Sequence, residues 1–129
     1  MTTEERKAIL TRAAQQIKSF GYRAYIVKDK PSGLIWGVFT DGKVIAGVDV
    51  DGFGFISVGT RHKPCTGCGT GFRVQDELLP SEITEDICRQ AVSMCPSWYR
   101  DSLKGVVKWT PEEFFKTERE KWNNEYEEV

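Results

Sequence analysis

Apolar residues near the start of the chain recur every three or four positions. They are Ile9, Ala13, Ile17 and Phe20, with Leu10 and Ala14 beside them. This period places them on one face of an α-helix. Thr2 followed three residues later by Glu5 is the pattern of a capping box, in which each side chain bonds the other residue's backbone N–H. The sequence therefore predicts a helix over about residues 3–20.

The next forty residues change to runs rich in β-branched and aromatic side chains. The runs occupy about 22–28, 34–40, 43–50 and 53–60, and a shorter one covers 72–75. Asp41-Gly42 and Asp51-Gly52 separate the second, third and fourth runs, and Asp-Gly in that position is typical of two-residue type I′ hairpins. Glycine within a strand marks either sheet curvature or the close approach of another element, and here we favour curvature. The pattern predicts an antiparallel meander of four or five strands.

Helical patterns return in the second half of the chain. A helix is predicted over about 81–95 with Ser81 as its N-cap, one or two helical turns over 97–105, and an extended segment at 106–109. A last helix is predicted from Pro111 through residue 129, with Thr110 as its N-cap. Strands followed by helices indicate the α+β class. We expect a single α+β domain over 1–129, with an N-terminal helix, a four- to five-stranded antiparallel meander and two or three C-terminal helices.

Composition narrows the class of protein. The chain has 129 residues, of which 40% are hydrophobic and 29% charged, as in ordinary globular domains. It has no run of roughly 20 apolar residues, so we expect no membrane span. The charged N-terminus argues against a signal peptide, so we expect a cytoplasmic protein with reduced thiols. The net charge of −1 includes no polybasic cluster, which argues against a nucleic-acid partner.

The segment TRHKPCTGCGTGF at 60–72 concentrates candidate chemistry. Cys65 and Cys68 have the C-x-x-C spacing of a zinc knuckle, but a closed zinc site needs four ligands. Cys88 and Cys95 cannot both ligate one ion unless the helix ends well before Cys95, because seven helical residues rise about 10.5 Å whereas two sulfurs on one zinc lie about 3.8 Å apart. One of these two cysteines could complete the site with His62. We expect no cofactor, with zinc on Cys65 and Cys68 as the alternative.

The same segment admits two other interpretations. A cationic group formed by Arg61, His62, Lys63 and Arg73 flanks the glycines, whose amides could form a nest for an anion. A Cys/His enzyme would use His62 with Cys65, although the sequence supplies no third group to orient them. A solvated loop is the simplest interpretation of a glycine-rich stretch.

The C-terminal segment is acidic and aromatic. Residues 111–129 hold seven acidic and three basic side chains. Trp122 and Tyr126 could anchor this segment on a basic protein surface, because aromatic side chains dominate binding energy at interfaces. We favour the alternative that Phe115, Trp122 and Tyr126 pack on the domain's own sheet, because helices usually bury their one apolar stripe.

No family resemblance is found in these motifs. We therefore expect a small cytoplasmic, non-enzymatic binding or regulatory protein that acts by protein–protein contact, of the kind that mobile genetic elements encode as accessory or inhibitor proteins. The predicted binding residues are Arg61, His62, Lys63, Arg73, Trp122 and Tyr126. The alternatives are a zinc-stabilised or nucleic-acid-associated module that uses the C-x-x-C loop, and a small Cys/His enzyme.

Overall fold

The computed structural model describes residues 1–28, 34–63, 72–94 and 107–129. In chain order the elements are helix α1 (Thr3–Ser19), strands β1 (Arg23–Val27), β2 (Trp36–Thr40), β3 (Ile45–Val50), β4 (Ile56–Thr60) and β5 (Arg73–Leu78), a 3-10 turn (Pro80–Glu82), helices α2 (Glu85–Ser93) and α3 (Pro111–Trp122), and strand β6 (Tyr126–Glu128). The α+β class is confirmed. The predicted turns at 97–105 lie outside the described residues.

One antiparallel sheet carries the fold, and it has six strands rather than the predicted four or five. Their spatial order is β5-β4-β3-β2-β1-β6. The first five strands form the predicted meander, and β6 adds to the free side of β1, with Val27 opposite Tyr126. An ion pair at the same edge joins Arg23 to Glu128, with N–O distances of 2.6 and 2.9 Å. The end of the described chain is thereby fastened to its first strand.

Helix α1 begins as the sequence predicts. The Thr2 side chain accepts the Glu5 N–H, and the Glu5 carboxylate accepts the Thr2 N–H, so the capping box is complete. Leu10, Ala13 and Ile17 are fully buried on the helix face that packs against the sheet. Helix α2 packs on the same face of the sheet through Cys88, Ala91 and Val92. One large core therefore lies between this face and the two helices.

The prediction of type I′ turns is wrong, although both hairpins form. Type I′ geometry needs a positive φ at both central residues, and Asp41 does not have one. Its Oδ1 atom instead accepts the N–H groups of Lys43 and Val44, at 2.8 and 3.0 Å. Thr40 pairs with Ile45, so the connection spans four residues. The carboxylate of the Asp-Gly pair, and not only its backbone freedom, shapes this turn.

Two helix boundaries also differ from prediction. Helix α2 is capped by Thr84, whose side chain accepts the Ile87 N–H, and Ser81 lies in the preceding 3-10 turn. Helix α3 starts as predicted at Pro111 with Thr110 as N-cap, but it ends at Trp122. Asn123 adopts the left-handed conformation with φ +54°, which stops the helix and turns the chain into β6.

Helix α3 covers the second face of the sheet. Phe114 packs with Val38 and Ile45 in a smaller core, and Tyr25, Trp109, Phe115 and Tyr126 surround it. Three layers result, with α1 and α2 on one side of the sheet and α3 on the other. In the described parts of the chain, no helix combines the length and apolar character needed to cross a lipid bilayer.

Candidate functional site

Exposed apolar side chains gather at one end of the sheet. The described residues include eight large exposed apolar side chains, and six of them define the surface that we name the apolar end. They are Met1, Leu34, Phe53, Phe55, Leu79 and Trp122. Phe53 is 83% exposed, Trp122 64% and Leu79 51%. Such values mark side chains that folding leaves in water although water is a poor solvent for them.

Strand register brings these residues to the same end. Leu78 pairs with Ile56, and Ile56 pairs with Val50, so Leu79 and Phe55 both lie just beyond the last paired row. Leu34 precedes β2, which enters the sheet at this end because Trp36 pairs with Asp49.

Trp122 reaches the same end through the turn that follows it. The Lys28 N–H, just after β1, donates to the Glu125 carbonyl at 2.8 Å. This bond places the turn between α3 and β6 in the same terminal row of the sheet. The apolar end therefore runs across the width of the sheet from β5 to β6.

The backbone of the loop between β3 and β4 is held by hydrogen bonds from both of its sides. The Asp51 Oδ1 atom accepts the N–H groups of Phe53 and Phe55, at 2.8 and 2.9 Å. Arg6 of α1 donates to the Asp51 carbonyl at 3.2 Å and ties the loop to the first helix. Gly54 supplies the required positive φ of 89°. The backbone that carries the two exposed rings is thus held in place before any partner arrives.

Beside the apolar end, a hydrogen-bonded chain anchors α3 to the sheet. Trp36 Nε1–H donates to the Tyr126 hydroxyl at 2.6 Å, and that hydroxyl donates to Glu118 Oε1 at 2.6 Å. The Asn124 amide donates to the other Glu118 oxygen at 2.9 Å. Burial, and then the bond to Glu118, raises the pKa of Tyr126, which therefore stays a neutral donor. Tyr126 serves here as an internal connector, whereas Trp122 points to solvent.

A cavity of about 250 Å³ lies at this edge, between α3, the turn after it and the outer strands. It is lined by Tyr25, Phe115, Arg119, Asn124, Glu125 and Tyr126.

The predicted cationic group lies at the opposite end of the sheet, where its members make internal contacts. Arg61 extends over Gly47 and lies 3.7 Å from Asp49. Lys63 pairs with Glu113 and lies 5.9 Å from the centre of the Trp109 ring. Burial raises the pKa of Asp49 although Arg61 favours its charged form.

His62 and Arg73, the other two members, differ in exposure. His62 is buried, forms an isolated antiparallel bridge with Lys108, and has its Nδ1 3.3 Å from the Thr60 hydroxyl. Burial and then the nearby Lys108 charge lower the pKa of His62. Arg73 is exposed and 3.7 Å from Asp76. Anion binding by this group stays a prediction, because the glycine segment between Lys63 and Phe72 lies outside the described residues.

Of the four cysteines, the structure describes only Cys88. Cys65, Cys68 and Cys95 lie outside the described residues. Cys88 is a fully buried thiol, and burial raises its pKa to about 12. Within the described ranges, no three histidine, cysteine or acidic side chains are grouped so that they could hold a metal ion. The zinc alternative on Cys65 and Cys68 therefore stays a prediction.

The sequence analysis names Trp122 as a candidate binding residue but none of the other residues of the apolar end. Phe53 and Phe55 were included in a strand over 53–60, although β4 begins only at Ile56. Two phenylalanines immediately after an Asp-Gly turn were the available signal. Compared with protein-family models, curated proteins and solved structures, the chain matches none of them.

Proposed function

We propose that this chain is a small non-enzymatic binding protein that contacts another protein through the apolar end. The observation that carries the proposal is that, among the described residues, six of the eight large exposed apolar side chains lie at one end of the sheet. Clustered apolar exposure marks interaction sites on folded proteins, whereas scattered exposure is ordinary. Binding of this chain would cover part of the partner's surface, and this coverage could regulate the partner's activity.

The shape of the apolar end favours a protein partner. Phe53 and Trp122 project from ordered elements and could enter pockets of a facing surface, as aromatic anchors do at protein interfaces. The β3–β4 loop is held by the Asp51 carboxylate and by Arg6, so its ordering cost is already met in the free protein.

Partner capture by matched variants tests the proposal. Tagged wild-type chain and the Phe53→Ala and Trp122→Ala variants would be incubated with lysate of the source cells at physiological salt. Phe72→Ala is the control, because Phe72 is also an exposed phenylalanine but lies at the opposite end of the sheet. Each anchor substitution is expected to weaken the captured complex by roughly 2 kcal/mol, or about thirtyfold in Kd.

Folding must remain intact for this comparison to hold. Exposed substitutions usually change the free energy of unfolding by less than about 0.5 kcal/mol, which a urea titration of each variant checks. Equal capture of one specific protein by wild type and by both anchor variants would contradict the proposal. So would loss of capture with Phe72→Ala alone.

A further inference from the structure

The cavity beside α3 has walls that are fixed in advance. The Tyr25 and Phe115 ring centroids are 4.8 Å apart, and those of Phe115 and Tyr126 are 5.5 Å apart, both pairs in edge-to-face contact. Trp36 and Glu118 hold the Tyr126 hydroxyl from two sides. Three aromatic rings thus form a preorganised apolar wall, which lowers the ordering cost of binding a ligand.

Two residues of opposite charge line the same cavity. Arg119 comes from α3 and Glu125 from the turn that follows it. Two ion pairs form on the neighbouring strands, where Arg23 contacts Glu128 and Lys7 contacts Glu127. Among the residues that the structure describes, neither Arg119 nor Glu125 has an ion-pair partner. Both residues are exposed, so the cavity has one positive and one negative group along its lining that folding does not use.

The size of the cavity restricts the ligand. Pockets for drug-sized molecules usually measure about 300–1,000 Å³, and this one measures about 250 Å³. A ligand the size of a single amino acid fits this volume. Its carboxylate matches the guanidinium of Arg119, its ammonium matches the carboxylate of Glu125, and charge-assisted hydrogen bonds of this kind are the strong ones. The rings of Tyr25, Phe115 and Tyr126 suit an aromatic side chain in edge or offset contact.

We propose that this cavity is a binding site for a free aromatic amino acid, held as the zwitterion between Arg119 and Glu125. This site lies beside the apolar end but shares no residue with it, and neither proposal depends on the other. Binding is non-covalent and needs no further group.

Amide chemical shifts of the full chain during titration with L-phenylalanine test this assignment. Saturable shifts at Phe115, Arg119 and Glu125 are expected. N-acetyl-L-phenylalanine amide keeps the ring but removes both charges, and glycine keeps the charges but removes the ring. Both should bind at least roughly tenfold more weakly, because each lacks one of the two kinds of contact.

Matched variants identify the two charges. Arg119→Gln and Glu125→Gln should each raise the Kd for L-phenylalanine roughly tenfold. Glu120→Gln lies on the same helix but does not line the cavity, and it should leave the Kd unchanged. The proposal is overturned if L-phenylalanine causes no saturable shift at these residues up to its solubility limit. It is also overturned if the uncharged amide binds as tightly, or if Glu120→Gln weakens binding as much as the lining variants.

Discussion

Replacing Gly59 by alanine should destabilise the sheet where β4 meets β5. A Cβ atom at this position would lie 2.5 Å from the Phe72 carbonyl oxygen, whereas ordinary contacts begin at 3.4 Å. That oxygen is backbone, and it accepts the Thr60 N–H at 2.8 Å. The Phe72 N–H in turn donates to the Thr60 hydroxyl at 2.9 Å. The strands therefore cannot separate to admit a methyl group without weakening these bonds.

The magnitude follows from three contributions. Overpacking of a tight site costs about 1–3 kcal/mol, and a weakened backbone hydrogen bond about 1 kcal/mol. Alanine restricts the unfolded chain and returns about 0.4–1 kcal/mol. The net loss in the free energy of unfolding should be about 2 kcal/mol. For a chain of this size, that loss lowers Tm by roughly 8 °C.

Urea and thermal unfolding, followed by circular dichroism, measure this loss. Gly52→Ala is the matched control, because a Cβ there meets nothing within 4 Å and the φ of Gly52 is not positive. It should be neutral or slightly stabilising. Suppose that the free energies of unfolding of Gly59→Ala and Gly52→Ala both lie within about 0.5 kcal/mol of the wild-type value. The close approach of the Phe72 carbonyl to position 59 would then be refuted.

Four further predictions concern titratable and polar groups. Because the pKa of folded His62 is lowered below its usual 6.5, the unfolded state binds more protons, so stability should fall as pH drops through about 6.5. Urea midpoints at pH 5.5 and 7.5 measure this loss, and His62→Gln should make it smaller. Tyr126→Phe should lower the free energy of unfolding by about 1–3 kcal/mol, because Trp36 and Glu118 lose their hydrogen-bond partner. Tyr25→Phe should change the urea midpoint little. Cys88, with its pKa at about 12, should react with iodoacetamide at pH 8 only in urea, as peptide mass spectrometry would show. Protein purified without chelator should contain no zinc by elemental analysis, and one zinc per chain lost in Cys65→Ser and Cys68→Ser variants would reverse that expectation.

The sequence predicts the elements that local signals specify. The Thr2–Glu5 capping box places the start of α1 correctly, and the two Asp-Gly dipeptides locate the hairpins. Turn type was predicted wrongly, because side-chain oxygens of Asp41 and Asp51 can bond the backbone in longer loops. Whether a two-residue or a longer loop forms depends on tertiary packing and not on the composition of the turn.

The missed sixth strand has a similar cause. Tyr126 follows Trp122 at a spacing that suits a helix, and helical propensity is a weak guide when tertiary pairing competes. The exposed edge of β1 was available for pairing, and Asn123 allowed the chain to turn toward it. Sequence alone does not show which strand edge remains open.

The candidate site was predictable only at Trp122. Exposure of Phe53, Phe55 and Leu79 depends on where the strands stop pairing, which periodicity locates to within a few residues at best. The predicted cationic group could not be interpreted from sequence either, because the contacts of Arg61 with Asp49 and of Lys63 with Glu113 join distant segments.

Pairing of β6 with β1 has a consequence for synthesis on the ribosome. The two residues of the Arg23–Glu128 ion pair are 105 positions apart, so β1 leaves the exit tunnel long before its outer neighbour exists. During that interval its unpaired backbone groups form an open template for strands of other nascent chains. The demand for chaperones should therefore last until residues 126–128 have emerged and β6 covers the outer edge of β1.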